Sequence, residues 1–178
     1  SQPVIPCALE MMDAMSVDLI RHHEHAAFSD EAKALLIIEV DGSRASLKME
    51  VDGVAASLKN PDLLECRVAQ TEDEAKKLWA LRKALSPALR SLSPHKINED
   101  VVVPVSFMPA FFKKLEAISK EYDIPIVNFG HGGNGNIHVN LLANPLDPVK
   151  GPIAHEALNA LFDTVVSFGG TLSGEHGV

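Results

Sequence analysis

Long apolar runs, cysteines and clustered basic residues are all scarce in this chain of 178 residues, and each scarcity excludes something. No apolar stretch approaches the roughly 20 residues that a helix needs to cross a bilayer. A charged-then-apolar leader is missing, so nothing points to secretion, and a reducing cytoplasm is the expected compartment. The 16 basic residues are outnumbered by 24 acidic ones, for a net charge of -8. They are scattered rather than gathered into a stripe, which argues against a nucleic-acid surface. The two cysteines, Cys7 and Cys66, lie far apart and fit neither a disulfide framework nor a metal spacing. Both are expected as small buried apolar residues. Internal repeats and low-complexity linkers are also absent.

What is present suits one globular domain. Hydrophobic residues make up 46% of the chain, enough to build a sizeable core. The sequence stops at "SGEHGV", on a charged motif flanked by glycine. Domains usually end in polar, mobile tails, so a fragment of a longer polypeptide is expected.

The hydrophobic pattern alternates between strands and helices. "PVIPCALE" reads as a strand leading into a helix over Met11–His22, and "ALLIIEVDG" as a buried strand ended by the turn signal Asp41-Gly42. A helix is expected across roughly Ser43–Lys59, and strand character in "DLLECRVAQ". "TEDEAKKLWALRKAL" opens with Thr71 and Glu74, a capping box, and carries the spaced pairs Glu72/Lys76 and Asp73/Lys77. Three segments, "INEDVVVPVS", "IPIVNFG" and "NIHVNLLA", read as strands. "MPAFFKKLEAISKEYD" is amphipathic, and "GPIAHEALNALFDTVVSFGG" has proline near its start and glycine at its end, as helices do. Several connections are too short for parallel crossovers. The expected fold is therefore α+β, an antiparallel sheet with helices packed on one face, ferredoxin-like.

The stretch "NFGHGGNGNIHVNLL", residues 128–142, contains Gly130, Gly132 and Gly135 at the spacing of a dinucleotide-binding loop. That pattern has meaning only where a helix follows to hold the pyrophosphate. Here "NIHVNLL" follows, alternating as a strand does, with His138 and Asn140 on one face. The nucleotide reading fails, and no phosphate-loop lysine is present. A glycine-permissive turn between two strands remains, with His131 and His138 at its ends. Such a pair suits a borderline divalent cation, and Glu175, beside His176, offers a carboxylate. The competing reading is a plain hairpin with surface histidines.

The segments "HGGNGNIHVN", "GGTLSGEHGV", "LWALRKAL" and "NEDVVVPVS" resemble, in order, four motifs of the FAD-linked oxidases of vanillyl-alcohol-oxidase type. That family includes D-lactate dehydrogenases, D-2-hydroxyglutarate dehydrogenases and the flavoprotein subunit of glycolate oxidase. "ALEMMD" and "LLIIEVDG" add weaker likeness in the first half. The resemblance implies that residues 1–178 form the C-terminal substrate, or cap, domain of such an enzyme. An N-terminal FAD-binding domain and a short tail would lie elsewhere on the polypeptide. One departure is Asn134, where the family usually has aspartate in the glycine run.

The resemblance also assigns roles. His131, His138 and Glu175 match the metal ligands of the metal-dependent members, holding zinc or manganese. His176 matches the general base, and Arg82 the clamp on the substrate carboxylate. Ser86 lies one turn further along the same helix face, and Asn140 is a candidate for the substrate or the flavin edge. Asn136 is a candidate cofactor contact, and Lys96 falls near a lysine that meets a second carboxylate. The implied activity is oxidation of a 2-hydroxy acid (D-lactate, D-2-hydroxyglutarate or glycolate) to the 2-oxo acid, with hydride passing to the flavin. The electron acceptor is unreadable, and a homodimer is left open. The alternative is a free-standing module that binds a metal or a small acid without redox activity; a zinc hydrolase has less support still. Arg82 has its own bland reading, an ordinary solvated helix arginine. "RHHEHAAF", with His22, His23 and His25 near a helix end, is expected as a solvated terminus, because consecutive helical residues point around the axis. His155 and Glu156 are expected on the surface, and Trp79 in the core.

Overall fold

The computed structural model describes residues 6–24, 28–43 and 45–175. Within them the first strand, β1 (Ala8–Met12), runs two residues past the expected boundary before α1 (Ala14–Glu24) begins. Asp13 between them sets that boundary: its Oδ1 accepts the Ser16 amide at 2.8 Å, capping the helix one turn in. β2 (Leu35–Glu39) and α2 (Leu47–Ser57) follow, the helix shorter than expected at both ends. "DLLECRVAQ" forms no strand; all of it but Ala69 is exposed, and no strand among the described residues lies beside it to complete a ladder. Cys66 lies in this segment, and it and Cys7 are both exposed rather than buried.

The capping box does start α3 (Glu72–Leu92): Thr71 accepts the Glu74 amide at 3.2 Å. Its return arm closes on the Gln70 amide, 2.6 Å from Glu74 Oε2, one residue earlier than the standard motif. The helix then continues through Pro87, which removes one N–H from the ladder. The buried stripe Ala84, Leu85, Ala88 and Leu89 outweighs that loss. β3 (Ile97–Val102), α4 (Met108–Glu121), β4 (Ile126–His131), β5 (Asn136–Leu141) and α5 (Lys150–Ser167) complete the chain largely as the pattern predicts.

The five strands form one sheet in the order β2-β1-β4-β5-β3, with every pair antiparallel. The α+β class and the antiparallel sheet are those expected. The helices, expected on one face, divide between two cores. Phe111, Leu115 and Ile118 of α4 and Ala154, Ala157, Leu161 and Val165 of α5 pack with Ile126, Ile137, Val139 and Leu141. Val17 and Ile20 of α1 and Leu85 and Leu89 of α3 pack with Met12, Ile37, Val127 and Phe129. Strand alternation explains the split, because successive residues point to opposite faces and both faces carry apolar side chains.

The face shared with α1 and α3 differs at one end. Cross-strand register puts Glu10 opposite His131 and His131 opposite Asn136. The next rows hold Asp100 opposite His138, and Asn98 opposite Asn140. Glu10, Asp100, Asn136 and Asn140 are all buried. Burying charged and polar groups carries a desolvation cost that pairing repays only in part, so a sheet face does not collect so many of them for stability. This end of the sheet is where a site is expected.

Candidate active site

The β4–β5 hairpin is built to bring its two histidines together. Gly135 has φ +79°, and a Cβ there would stand 1.9 Å from the Val103 carbonyl oxygen, so only glycine fits. Asn134 Oδ1 accepts the Asn136 amide at 3.0 Å, holding the turn. An aspartate would accept the same bond, so the departure at Asn134 leaves this contact intact.

On the face of the sheet the rings of His131 and His138 stand edge to face, with centroids 5.5 Å apart. His131 Nε2 lies 3.0 Å from Glu175 Oε1. One ligand atom from each of His131, His138 and Glu175 falls within 4.8 Å of the others. Each imidazole also has a buried carboxylate behind it. Glu10 accepts a hydrogen bond from His131 Nδ1, and Asp100 Oδ1 lies 3.4 Å from His138 Nδ1. The Glu10 contact turns His131 Nδ1 away from the cluster and leaves its Nε2, beside Glu175, for a ligand. Two imidazoles and one carboxylate, oriented in this way, fit a borderline divalent cation. Burial pushes the His138 pKa down, favouring the neutral ring, although Asp100 and Glu175 pull the other way. Asp100 also accepts the Glu175 backbone amide, which ties the last described residues to β3.

Beside the cluster lies a cavity of about 220 Å³ lined by Arg82, Ser86, Lys96, Asn98, Phe129 and His138. Arg82 reaches it from α3, its Nε donating to Glu10 Oε2 at 2.7 Å and its guanidinium resting on the Phe129 ring. Ser86 follows one turn along, as its spacing implies. Lys96 Nζ donates to Asn140 Oδ1 at 2.6 Å and to Asn98 Oδ1 at 3.3 Å. Burial, then the nearby charge of Arg90, lowers the Lys96 pKa. Asn140 itself donates to the Val127 carbonyl at 3.1 Å, so its side chain is fixed by the sheet. Asn136 is different: buried, with neither Oδ1 nor Nδ2 satisfied among the described residues. An orphaned buried amide is unusual, because nearly all buried polar groups are hydrogen-bonded.

The structure therefore gathers Arg82, Ser86, Lys96, Asn140, His131, His138 and Glu175 at one end of the sheet. His176 and His25 lie outside the described residues. His22 is exposed, its Nδ1 2.7 Å from the Asp18 carbonyl, and His155 and Glu156 are exposed as expected. Trp79 packs against the α1–α3 core and donates to Glu39 Oε2 at 2.7 Å. Four site residues escape sequence reasoning: Glu10, Asp100, Asn98 and Phe129. A carboxylate in the otherwise apolar strand "ALEMM" is the one local signal that points to Glu10.

Comparison with known proteins shows what the chain as a whole is similar to. The family described as FAD linked oxidases, C-terminal domain, matches residues 1–178. The glycolate oxidase subunit GlcD of Bacillus subtilis is 33% identical over 175 residues, covering 98% of this chain and 37% of that protein. A D-2-hydroxyglutarate dehydrogenase of Stutzerimonas stutzeri is 38% identical over 122 residues, 65% of this chain and 25% of that protein. Among solved structures, a 4-ethylphenol oxidase from Gulosibacter chungangensis in complex with isoeugenol superposes with a TM-score of 0.60. It is 16% identical, and the match covers 93% of this chain and 38% of that one, a likeness of fold. The chain thus spans little more than a third of the glycolate oxidase subunit that it matches.

Proposed function

This chain belongs to the FAD-linked oxidases, as their C-terminal domain, and we propose that it supplies the residues with which the whole enzyme binds a 2-hydroxy acid and oxidises it to the 2-oxo acid. The observation that carries this reading is the position of His138. It lines the cavity beside Arg82 and also belongs to the cluster with His131 and Glu175. A 2-hydroxy acid has the matching shape, a carboxylate next to a carbon that bears a hydroxyl.

Arg82 takes the carboxylate, because a guanidinium offers parallel donors to its two oxygens. Ser86 adds a hydroxyl from the next turn. The hydroxyl end of the substrate then points toward His138, His131 and Glu175. Oxidation removes the hydroxyl proton to a base and hydride from C2. His176, the neighbour of Glu175, is the proposed base. Bound FAD supplies the hydride acceptor, and a divalent cation, zinc or manganese, supplies a Lewis acid that lowers the hydroxyl pKa. His131, His138 and Glu175 would hold the cation. Asn136, whose amide has no partner among the described residues, would face the flavin, brought by an FAD-binding domain on the same polypeptide. Lys96 suits a second carboxylate, which favours D-2-hydroxyglutarate or a similar dianion over lactate or glycolate.

The test uses the full-length enzyme loaded with FAD. Mixed anaerobically with a panel of D- and L-2-hydroxy acids, it should show flavin bleaching by members of one stereochemical series. Bleaching by none of them, with reduction by an alcohol that lacks a carboxylate, contradicts the proposal.

A further inference from the structure

We propose that Glu10 is a positioning residue that sets both halves of the site at once, the carboxylate grip and the ligand cluster; this rests on the functional reading above. Its side chain is buried between α3 and the β4–β5 hairpin, where the register of β1 against β4 puts it opposite His131. Each carboxylate oxygen has a separate duty. Oε2 accepts from Arg82 Nε at 2.7 Å, and Oε1 accepts from His131 Nδ1.

Each contact has a chemical consequence. With Nδ1–H donated to Glu10, the neutral His131 ring carries its lone pair on Nε2, the atom that faces Glu175. With Nε engaged, the guanidinium of Arg82 has only its two terminal nitrogens left for a paired grip on a carboxylate. The substrate is therefore held end-on, and the guanidinium plane, pinned at Nε and resting on Phe129, sets its orientation. A glutamine cannot replace this carboxylate without loss. Its amide oxygen serves one partner, and its NH2 then faces either the Arg82 Nε–H or the His131 Nδ1–H. The second clash is relieved only by moving the His131 proton to Nε2, which removes the ligand lone pair.

A mere tie between α3 and the sheet would make Glu10 a matter of stability. The positioning role predicts more. In the full-length FAD-loaded enzyme, Glu10→Gln should keep its FAD, lower kcat less than it raises KM for the preferred 2-hydroxy acid, and raise that KM about tenfold or more. Metal-stripped Glu10→Gln should also bind added zinc or manganese about 10- to 100-fold more weakly than wild type. If this variant is too unstable to load FAD, Glu10→Asp carries the test. It keeps the charge but is one methylene too short to serve both partners, so KM or metal affinity, or both, should shift. The proposal is overturned if the variant that folds matches wild type in both KM and metal affinity, or loses only thermal stability. A wild-type enzyme whose flavin no 2-hydroxy acid reduces overturns the functional reading itself, a different result from either.

Discussion

The guanidinium carbon of Arg82 lies 4.4 Å from the centre of the Phe129 ring. Phe129 is thus a floor beneath the arginine as well as a wall of the cavity, and it also leans on His138 with ring centroids 5.5 Å apart. A cation over an aromatic face is worth about 1 kcal/mol when partly desolvated. Phe129→Leu keeps an apolar side chain in the core but removes that face. It should raise KM for a 2-hydroxy acid about fivefold while changing kcat little. Steady-state kinetics check this, and an unchanged KM would show that Arg82 is held by Glu10 alone.

Asp100 Oδ1 lies 3.4 Å from His138 Nδ1, a looser contact than that of Glu10 with His131, across a different pair of strands. It also fixes the Glu175 amide. Asp100→Asn keeps the shape and loses the charge, so both the orientation of His138 and the seat of Glu175 should suffer. Metal affinity should fall about tenfold or more. Titration of zinc or manganese into the metal-stripped enzyme measures this; affinity equal to wild type would remove Asp100 from the support of the cluster.

Lys96 donates to two neutral amide oxygens and has no carboxylate partner among the described residues. Its charge therefore remains to meet a second carboxylate on the substrate. Lys96→Met should weaken a dicarboxylic 2-hydroxy acid about tenfold or more and leave a monocarboxylic one nearly unaffected. The pH dependence has a definite sign. Burial and Arg90 lower the lysine pKa, while Arg82 and His138 line the same cavity. The protonated form binds the anion, so KM for the dicarboxylate should climb at a lower pH than an ordinary lysine would cause. KM for the monocarboxylate should lack that rise. Parallel pH profiles for the two substrates are the measurement.

How much of this was legible in the sequence depends on the range of the interaction. The hairpin around Gly135, the Thr71 cap and the stripe of α4 are local, and local chemistry fixed them correctly. The spacing of Arg82 and Ser86 on one helix face was readable for the same reason. Glu10 and Asp100 were not, because their partners come from strand register; Glu10 and His131 are 121 positions apart. "DLLECRVAQ" shows the converse failure. Its composition suits a strand, but a strand exists only where a neighbour accepts its hydrogen bonds, and residue types alone do not supply one. Helices on both faces follow from apolar residues on both sides of β1 and β4, a pattern that fits either buried arrangement.

Asp13 joins stability to the site. Besides capping α1, it accepts the Asn128 amide at 3.0 Å and its Nδ2 at 2.7 Å, one residue before Phe129. Burial raises its pKa against the pull of these hydrogen bonds. Asp13→Ala strands three donors and should cost about 2 kcal/mol, lowering Tm by several degrees. Calorimetry of the full-length protein checks it, and a loss under about 0.5 kcal/mol would mean that water replaces the carboxylate.

The most direct test of the central claim is anaerobic stopped-flow reduction of the flavin in the full-length enzyme by its preferred 2-hydroxy acid, comparing wild type with Arg82→Met. Wild type should bleach in a saturable phase. Arg82→Met should need at least about 100-fold more substrate for the same rate, because a buried, charge-assisted grip on a carboxylate is worth about 3 kcal/mol. Reduction of Arg82→Met with the wild-type concentration dependence would contradict the account, since the carboxylate would then be held elsewhere.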